Sequence, residues 1–371
     1  MTVLNAVTRA LFERLRDEAA DVEAEFAVAP TSIDDAAAVI AAARDARLPT
    51  AFLGGGTHGG YGTRPEAALV VTTARLDRIV TWHPDDLTVV VEPGVRVAAL
   101  EEQIAQRAQT AVFPEIPADA TVGGVIAAGL SGYRRLRYGP TRDRVLQVQM
   151  ATGYGAVISG GSPVVKSSTG YGIPRLATGS LGSLGLIGRV MLKLWSQPRA
   201  TATVDVDDAA AAYAATYRPL AVLETTEGSF LYLAGAEEQV AAQVGEAEGV
   251  AREGLSWPSR IAEPIRLEFR VPAPLVRPAI DRARRLGATR WIAEHGVGRV
   301  EAGMDDVEPS RFVDARAWAE SNGGALVVAD GSVPGVDRWG TAPASIAIQR
   351  RIKARFDPAG VCNPGILPGG L

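Results

Sequence analysis

A chain of 371 residues exceeds one ordinary core and, at about 150 residues per domain, is expected to fold as two or three. Its 38 Lys and Arg against 42 Asp and Glu leave a net charge of −4, without the basic footprint of a nucleic-acid binder, so no nucleic-acid partner is expected. Cys362 is the single cysteine, which excludes a disulfide framework within the chain and the cysteine quartet of an iron–sulfur cluster.

Apolar stretches are broken by Gly, Arg or Asp well below the roughly 20 residues of a membrane span, and the N-terminal residues show no basic-plus-apolar leader. The expectation is a soluble, cytoplasmic protein able to dock on a larger assembly. In chain order, Ser32, Asp34 and Asp35 supply capping side chains ahead of the alanine-rich stretch 36–46, which predicts a helix. A short strand at 50–53, a glycine loop and a β-like run at 68–73 follow. Strands at 79–82 and 87–92, a turn at Pro93-Gly94 and a helix over 97–108 continue an alternating α/β pattern.

Residues 121–194 are rich in glycine and contain β-like runs at 145–151, 156–159 and 186–194. One domain is therefore expected over 25–197. Glycine thins out after Pro198, and helices near 207–215 and 237–248 alternate with strands at 229–233 and 265–271. That predicts an α+β domain over 198–341, read as two loose strand–helix–strand–strand units. The stretch 342–371 is a basic helix followed by a tail that returns to the first domain.

The segment 53–62 reads LGGGTHGGYG, six glycines in ten residues, and matches the dinucleotide fingerprint formally at Gly54, Gly56 and Gly59. A Rossmann unit needs a helix at once, to hold the pyrophosphate on its N-terminus. Pro65 and a β-like run follow instead. Two readings stay open: a nest of main-chain N–H groups suited to a pyrophosphate, and a flexible surface turn. His58 is a candidate for covalent flavin attachment, against an ordinary solvent-facing or hydrogen-bonded histidine. Two further clusters, PADATVGGVIAAGLSG at 117–132 with YGPTRDRV at 138–145, and KSSTGYGIPRLATGSLGSLGLIG at 166–188, leave room for a flat ligand or for tight corners of a β-rich domain.

Together with RIKARFDPAGVCNPG at 351–365, these pieces resemble the FAD-binding fold shared by vanillyl-alcohol oxidase, D-lactate dehydrogenase and glycolate oxidase flavin subunits. Within that family, the length and the pair Arg134-Arg135 are most similar to the FAD-binding subunit of bacterial glycolate oxidase. The implied fold class is α+β: a two-lobed FAD-binding domain of the vanillyl-alcohol oxidase (PCMH) type with a smaller α+β cap domain. The resemblance implies that Gly54, Gly55, Gly56, Thr57, His58 and Gly59 wrap the pyrophosphate of a non-covalent FAD. It sets Pro117, Thr121, Gly123, Gly124 and Gly129 along the flavin and its ribityl–phosphate chain, and makes Gly139, Arg142 and Asp143 a third contact. Ile187 meets the adenine, and Asn363 belongs to the Asn-Pro-Gly that returns the tail. Implied partners are a second flavin subunit and an iron–sulfur subunit, and the implied substrate is a small 2-hydroxy acid. The chain departs from the pattern at Thr57, where covalent relatives carry histidine, at Ile366, where a basic residue is usual, and at Gly172, where relatives have aspartate.

A 2-hydroxy-acid dehydrogenase needs a cation for the carboxylate and a base for the hydroxyl. His58, His83 and His295 are too scattered for a metal site, so no metal is expected. Glu294 and His295, in Glu-His-Gly-Val-Gly, echo the larger catalytic flavin subunit, with a hairpin turn as the other reading. Arg266, Glu268 and Arg270 alternate along a strand, and the expectation favours a solvated charged face over a substrate clamp. Three functions stay open: a subunit of a glycolate oxidase-like complex passing electrons to a partner, a self-sufficient flavin oxidase or dehydrogenase, and a non-catalytic scaffold.

Overall fold

A computed structural model describes residues 6–16, 24–57, 62, 66–162 and 172–371. They form two compact units. The first gathers the chain up to Ser131, Pro140–Gln197 and Ala342–Leu371; the second gathers Gly132–Gly139 and Pro198–Thr341.

The first unit starts with α1 (Ala6–Arg14), β1 (Phe26–Val28), α2 (Ile33–Ala46), β2 (Thr50–Leu53), β3 (Leu69–Thr72), β4 (Ile79–His83) and β5 (Thr88–Val91). It continues with α3 (Val97–Ala105), β6 (Gln109–Thr110) and α4 (Val122–Ala128). The short α5 (Arg135–Tyr138) belongs to the second unit; β7 (Val145–Thr152), β8 (Val157–Gly161), α6 (Ile173–Ala177), β9 (Gly185–Lys193) and β10 (Trp195–Ser196) return to the first.

Helix α2 shows how local chemistry fixes an element. Ser32 accepts a hydrogen bond from Asp35 N, Asp34 and Asp35 sit at the positive end of the helix, and Arg47 stops it in a left-handed conformation. Its apolar positions Ala36, Val39, Ile40 and Ala43 recur at helical spacing and are buried. They pack in one cluster with Leu69 and Val71 of the parallel sheet β1-β3-β2 and with Ala151 and Leu186 of the antiparallel sheet β4-β5-β9-β7-β8. A second core lies on the five-stranded sheet, where Val148, Met150 and Val190 meet Leu100 and Ile104 of α3 and Val125 and Ile126 of α4. Helix α3 stops three residues short of the expected 108, because Ala108 adopts a positive φ of 48°.

The second unit contains β11 (Ala200–Val206), α7 (Ala209–Ala215), β12 (Ala221–Thr225), β13 (Ser229–Gly235), α8 (Glu237–Glu246) and β14 (Gly249–Glu253). The pattern then repeats as β15 (Ile265–Arg270), α9 (Val276–Arg285), β16 (Arg290–Glu294), β17 (Arg299–Met304), α10 (Pro309–Ser321) and β18 (Ala325–Asp330). The sheet order β14-β11-β13-β12-β16-β17-β15-β18 is therefore two βαββαβ halves of ferredoxin-like type joined edge to edge at β12 and β16. Val204, Val222 and Leu231 in one half, and Leu267, Phe269, Ala293 and Val300 in the other, cover the helix-bearing face. The opposite face carries Tyr232, Leu223 and Ile292 against Tyr133 and Trp257. The C-terminal helix α11 (Ile346–Phe356) opens the tail of the first unit and starts four residues later than the expected 342.

Candidate functional site

The three glycine-rich stretches touch one another in the first unit. Gly54 lies so close to Thr121 that an added Cβ would overlap its hydroxyl, and Gly55 lies equally close to the carbonyl oxygen of Asp119. Any side chain at Gly55 would push the loop off the segment that leads into α4. Gly56 differs: its φ of +69° favours glycine, and no atom of the described residues lies within 4 Å of where a Cβ would stand. Residues 54–56 are exposed, and none of the described residues accepts a hydrogen bond from the N–H groups of Gly54, Gly55 or Gly56. Consecutive unspent donors beside an open space fit a bound pyrophosphate, which supplies the acceptors that water would otherwise supply. Thr57 follows them; His58 and Gly59, like residues 166–171 of the third cluster, lie outside the described residues.

The start of α4 has a different economy. Val122 N donates to Val95 O, Gly123 N to Pro93 O and Gly124 N to the Thr121 hydroxyl, so these N–H groups already serve the fold. Gly123 has no Cβ because Pro93 occupies that space, and Gly129 follows α4 against Gly179. Pro117 is half-buried and its carbonyl accepts from Ala120 N. Ile187, on β9, is buried in the sheet core. Arg142 and Asp143 are exposed neighbours with Nε and Oδ1 at 3.8 Å, and Arg175 reaches the same Oδ1 at 3.7 Å. Gly139 ends α5. Asn363 is buried, accepts from Phe52 N at 2.9 Å and donates to Leu181 O at 2.6 Å. Ile366 packs at Gly62 and Leu181.

In the second unit the strand register separates the echoed pair. Glu294 is opposite Leu223 and Arg299, on the face away from the helices. His295 turns to the helix-bearing side, where its Nε2 lies 3.0 Å from Glu224 Oε2. Arg277 of α9 stands 3.9 Å from Glu224 and also pairs with Asp208, the N-cap of α7. His295 therefore joins a bracket between helices and strands, and the residues 295–298 make the turn between β16 and β17.

On the charged strand β15 the expected solvated face holds at Arg270, which is exposed, and not at Glu268. Glu268 is buried and receives Arg299 Nε at 2.8 Å as well as Arg270. Arg299 also donates to Glu294 Oε1 at 2.9 Å and to Glu301 Oε2 at 3.0 Å, while Arg266 pairs with Glu301 at 3.2 Å. The face is a lattice of ion pairs in which Glu268 and Glu294 are buried, Arg266, Arg299 and Glu301 half-buried and Arg270 exposed. Burial pushes Glu268 upward, but Arg299 and Arg270 outweigh it and bring its carboxyl down to about 2. Burial wins at Glu294, which is pushed up to about 7 although Arg299 touches it. One guanidinium serves three carboxylates, and Glu294 Oε2 is buried without a hydrogen-bond partner among the described residues. A carboxyl near neutrality can give or take a proton at physiological pH. Arg299, Glu301 and Glu224 were missed from sequence. The alternation Arg299, Glu301 along β17 matches that of β15 and was the signal available. No group of three or more His, Cys, Asp or Glu that could hold a metal occurs among the described residues. No helix among them is long and apolar enough to cross a membrane.

Comparison with known proteins bears on this geometry. Residues 24–161 match the family described as FAD binding domain. An uncharacterized FAD-linked oxidoreductase of Mycobacterium tuberculosis is 26% identical, over 93% of this chain and 91% of that protein. Glycolate oxidase subunit GlcD of Bacillus subtilis is 30% identical over 48% of this chain and 38% of its own length; subunit GlcE of Escherichia coli is 34% identical over 33% and 36%. The solved structure of alkyldihydroxyacetonephosphate synthase superposes with a TM-score of 0.65 at 15% identity, covering 93% of this chain and 77% of that one, a likeness of fold. The chain thus carries an FAD-binding domain of the PCMH type over residues 24–161, takes FAD as its cofactor and stands among the FAD-dependent oxidoreductases.

Proposed function

We propose that the chain is the FAD-binding subunit of a glycolate oxidase-like 2-hydroxy-acid dehydrogenase, holding FAD non-covalently and passing electrons to a partner flavin or iron–sulfur subunit. The observation that carries the cofactor site is the run of unspent N–H donors at Gly54, Gly55 and Gly56 beside the open side of Gly56. The similarity to two glycolate oxidase subunits supports the substrate class. FAD, when bound, accepts a hydride from the carbon that bears the substrate hydroxyl. The chain's own part is to hold the pyrophosphate on main-chain donors and to wall the ring system with small residues. A single cysteine, buried and with its thiol pushed far up by burial, offers no cluster ligands, so onward electron transfer falls to a partner.

Gly56→Val tests the cofactor site, because its Cβ meets no atom of the described residues and the positive φ strains the fold by about 1–2 kcal/mol. FAD released by acid precipitation should fall to trace levels while circular dichroism stays that of the wild type. Full flavin content in this variant would make the loop a mere turn. Anaerobic glycolate or D-lactate should leave the yellow colour of the isolated chain unchanged and bleach it when the partner subunits are added. A second reading, a self-sufficient dehydrogenase, is favoured by Glu294, whose carboxyl sits near neutrality; bleaching of the isolated chain by either acid would establish it in place of the first.

A further inference from the structure

Within the first unit, a chain of polar contacts fastens the C-terminal tail. Lys353, on α11, donates to Asp357 Oδ2 at 2.7 Å, to Ser183 O at 2.6 Å and to Cys362 O at 2.8 Å. Asp357, buried against Gly153, accepts from the N–H groups of Val361 and Cys362. The tail then runs beside β2: Thr50 N donates to Val361 O and Asn363 N to Thr50 O, both at 2.8 Å, with Cys362 opposite Thr50 in parallel register. Thr50, Asp357, Cys362 and Asn363 are buried, which strengthens the bonds they make.

Asn363 ends this path, and its side-chain amide joins two walls. Its oxygen holds Phe52 N, two residues before Gly54; its nitrogen holds Leu181 O. Leu181 has a φ of +49°, a left-handed conformation costly for leucine, between Gly179 and Gly182. Such strain persists only where surroundings enforce it, and here Ala127 O takes the Leu181 N–H while Asn363 takes its carbonyl. Gly179, in turn, abuts Gly129 at the end of α4.

We propose that Asn363 is a positioning residue for FAD: its amide sets the spacing between the Gly54–Gly56 donors and the strained loop at Leu181, so that tail docking and FAD retention are one linked equilibrium. This rests on the reading that Gly54, Gly55 and Gly56 hold the pyrophosphate. Linkage is reciprocal, so FAD tightens the tail by the factor that the tail tightens FAD.

The test titrates the apo chain with FAD, followed by flavin fluorescence, in the wild type, Asn363→Ala and Asn363→Asp. Asn363→Asp keeps an acceptor for Phe52 N and sets an oxygen against Leu181 O. Both variants should bind FAD at least tenfold more weakly, and the rise in Tm on adding FAD should shrink with it. In the wild type, FAD should slow amide hydrogen exchange at Cys362 and Asn363. Affinities within twofold of wild type, with apo and loaded Tm lowered equally, would reduce Asn363 to a structural residue and end the proposal. Should the variants not fold, unchanged exchange at Cys362 and Asn363 on adding FAD to the wild type would end it too. If Gly56→Val loses FAD while the Asn363 variants keep it, only the coupling fails; if Gly56→Val also keeps it, the pyrophosphate reading fails as well.

Discussion

The two halves of the eight-stranded sheet repeat one topology and differ in what they place on the face away from the helices. In the first half Tyr232 and Leu223 meet Tyr133 and Trp257, with the Tyr232 and Trp257 rings stacked 4.2 Å apart. In the second half, strands β15 to β17 offer Arg266, Glu268, Arg270, Glu294, Arg299 and Glu301. One surface is held by apolar contact; the other is held by ion pairs that, around the buried Glu268 and Glu294, must offset the loss of water. Topology therefore decides which positions point the same way, and residue type at those positions decides whether the face is inert packing or a titrating lattice.

The strongest way to break the charged half is Arg299→Met. It leaves Glu268, Glu294 and Glu301 without their shared cation, and at pH 7 it should cost about 3–5 kcal/mol in chemical denaturation. Next comes pH. The ordinary carboxyl value of Glu294, near 4.5, is raised in the fold to about 7, so its contribution is fully present below 4.5 and is lost as pH rises through 7. Glu268 runs the other way: lowered to about 2, it contributes above 4.5 and is lost as pH falls through 2. Stability should peak between the two windows, and Glu294→Gln should remove a loss of roughly 3 kcal/mol between pH 5 and 8. A flat wild-type profile over that range would refute a raised Glu294. In the apolar half, Tyr232→Phe removes the hydroxyl bond to Ser256 O at 2.8 Å and should cost about 1 kcal/mol, with no change in pH dependence. The smallest effect is expected for Arg252→Ala, whose pair with Asp205 is exposed; equilibrium unfolding should shift by less than about 1 kcal/mol.

Much of the fold was legible in the sequence. The cap at Ser32, the alternation in β15 and the glycine-rich stretches act over a few residues, and the α+β FAD-binding fold was implied by the resemblance of those stretches to a known family. The candidate site was legible unevenly. Gly54, Gly55 and Gly56 stood out by composition, but composition did not separate Gly56, whose positive φ favours glycine, from Gly55, whose missing Cβ makes room for the Asp119 carbonyl. Glu294 and His295 read as one motif, whereas pleating sends them to opposite faces of the sheet.

What the sequence by itself determined is local: where backbone can take a left-handed turn, where helices begin, and which residues share a strand face, since these depend on sterics and period within a few residues. Tertiary structure alone decided that Arg299 would serve three carboxylates, that Glu294 would be held near neutrality, and that Asn363 would reach both Phe52 and Leu181 across the fold. Desolvation and hydrogen-bond geometry belong to the assembled surroundings of a group, and residues distant in the chain supply those surroundings only once it has folded.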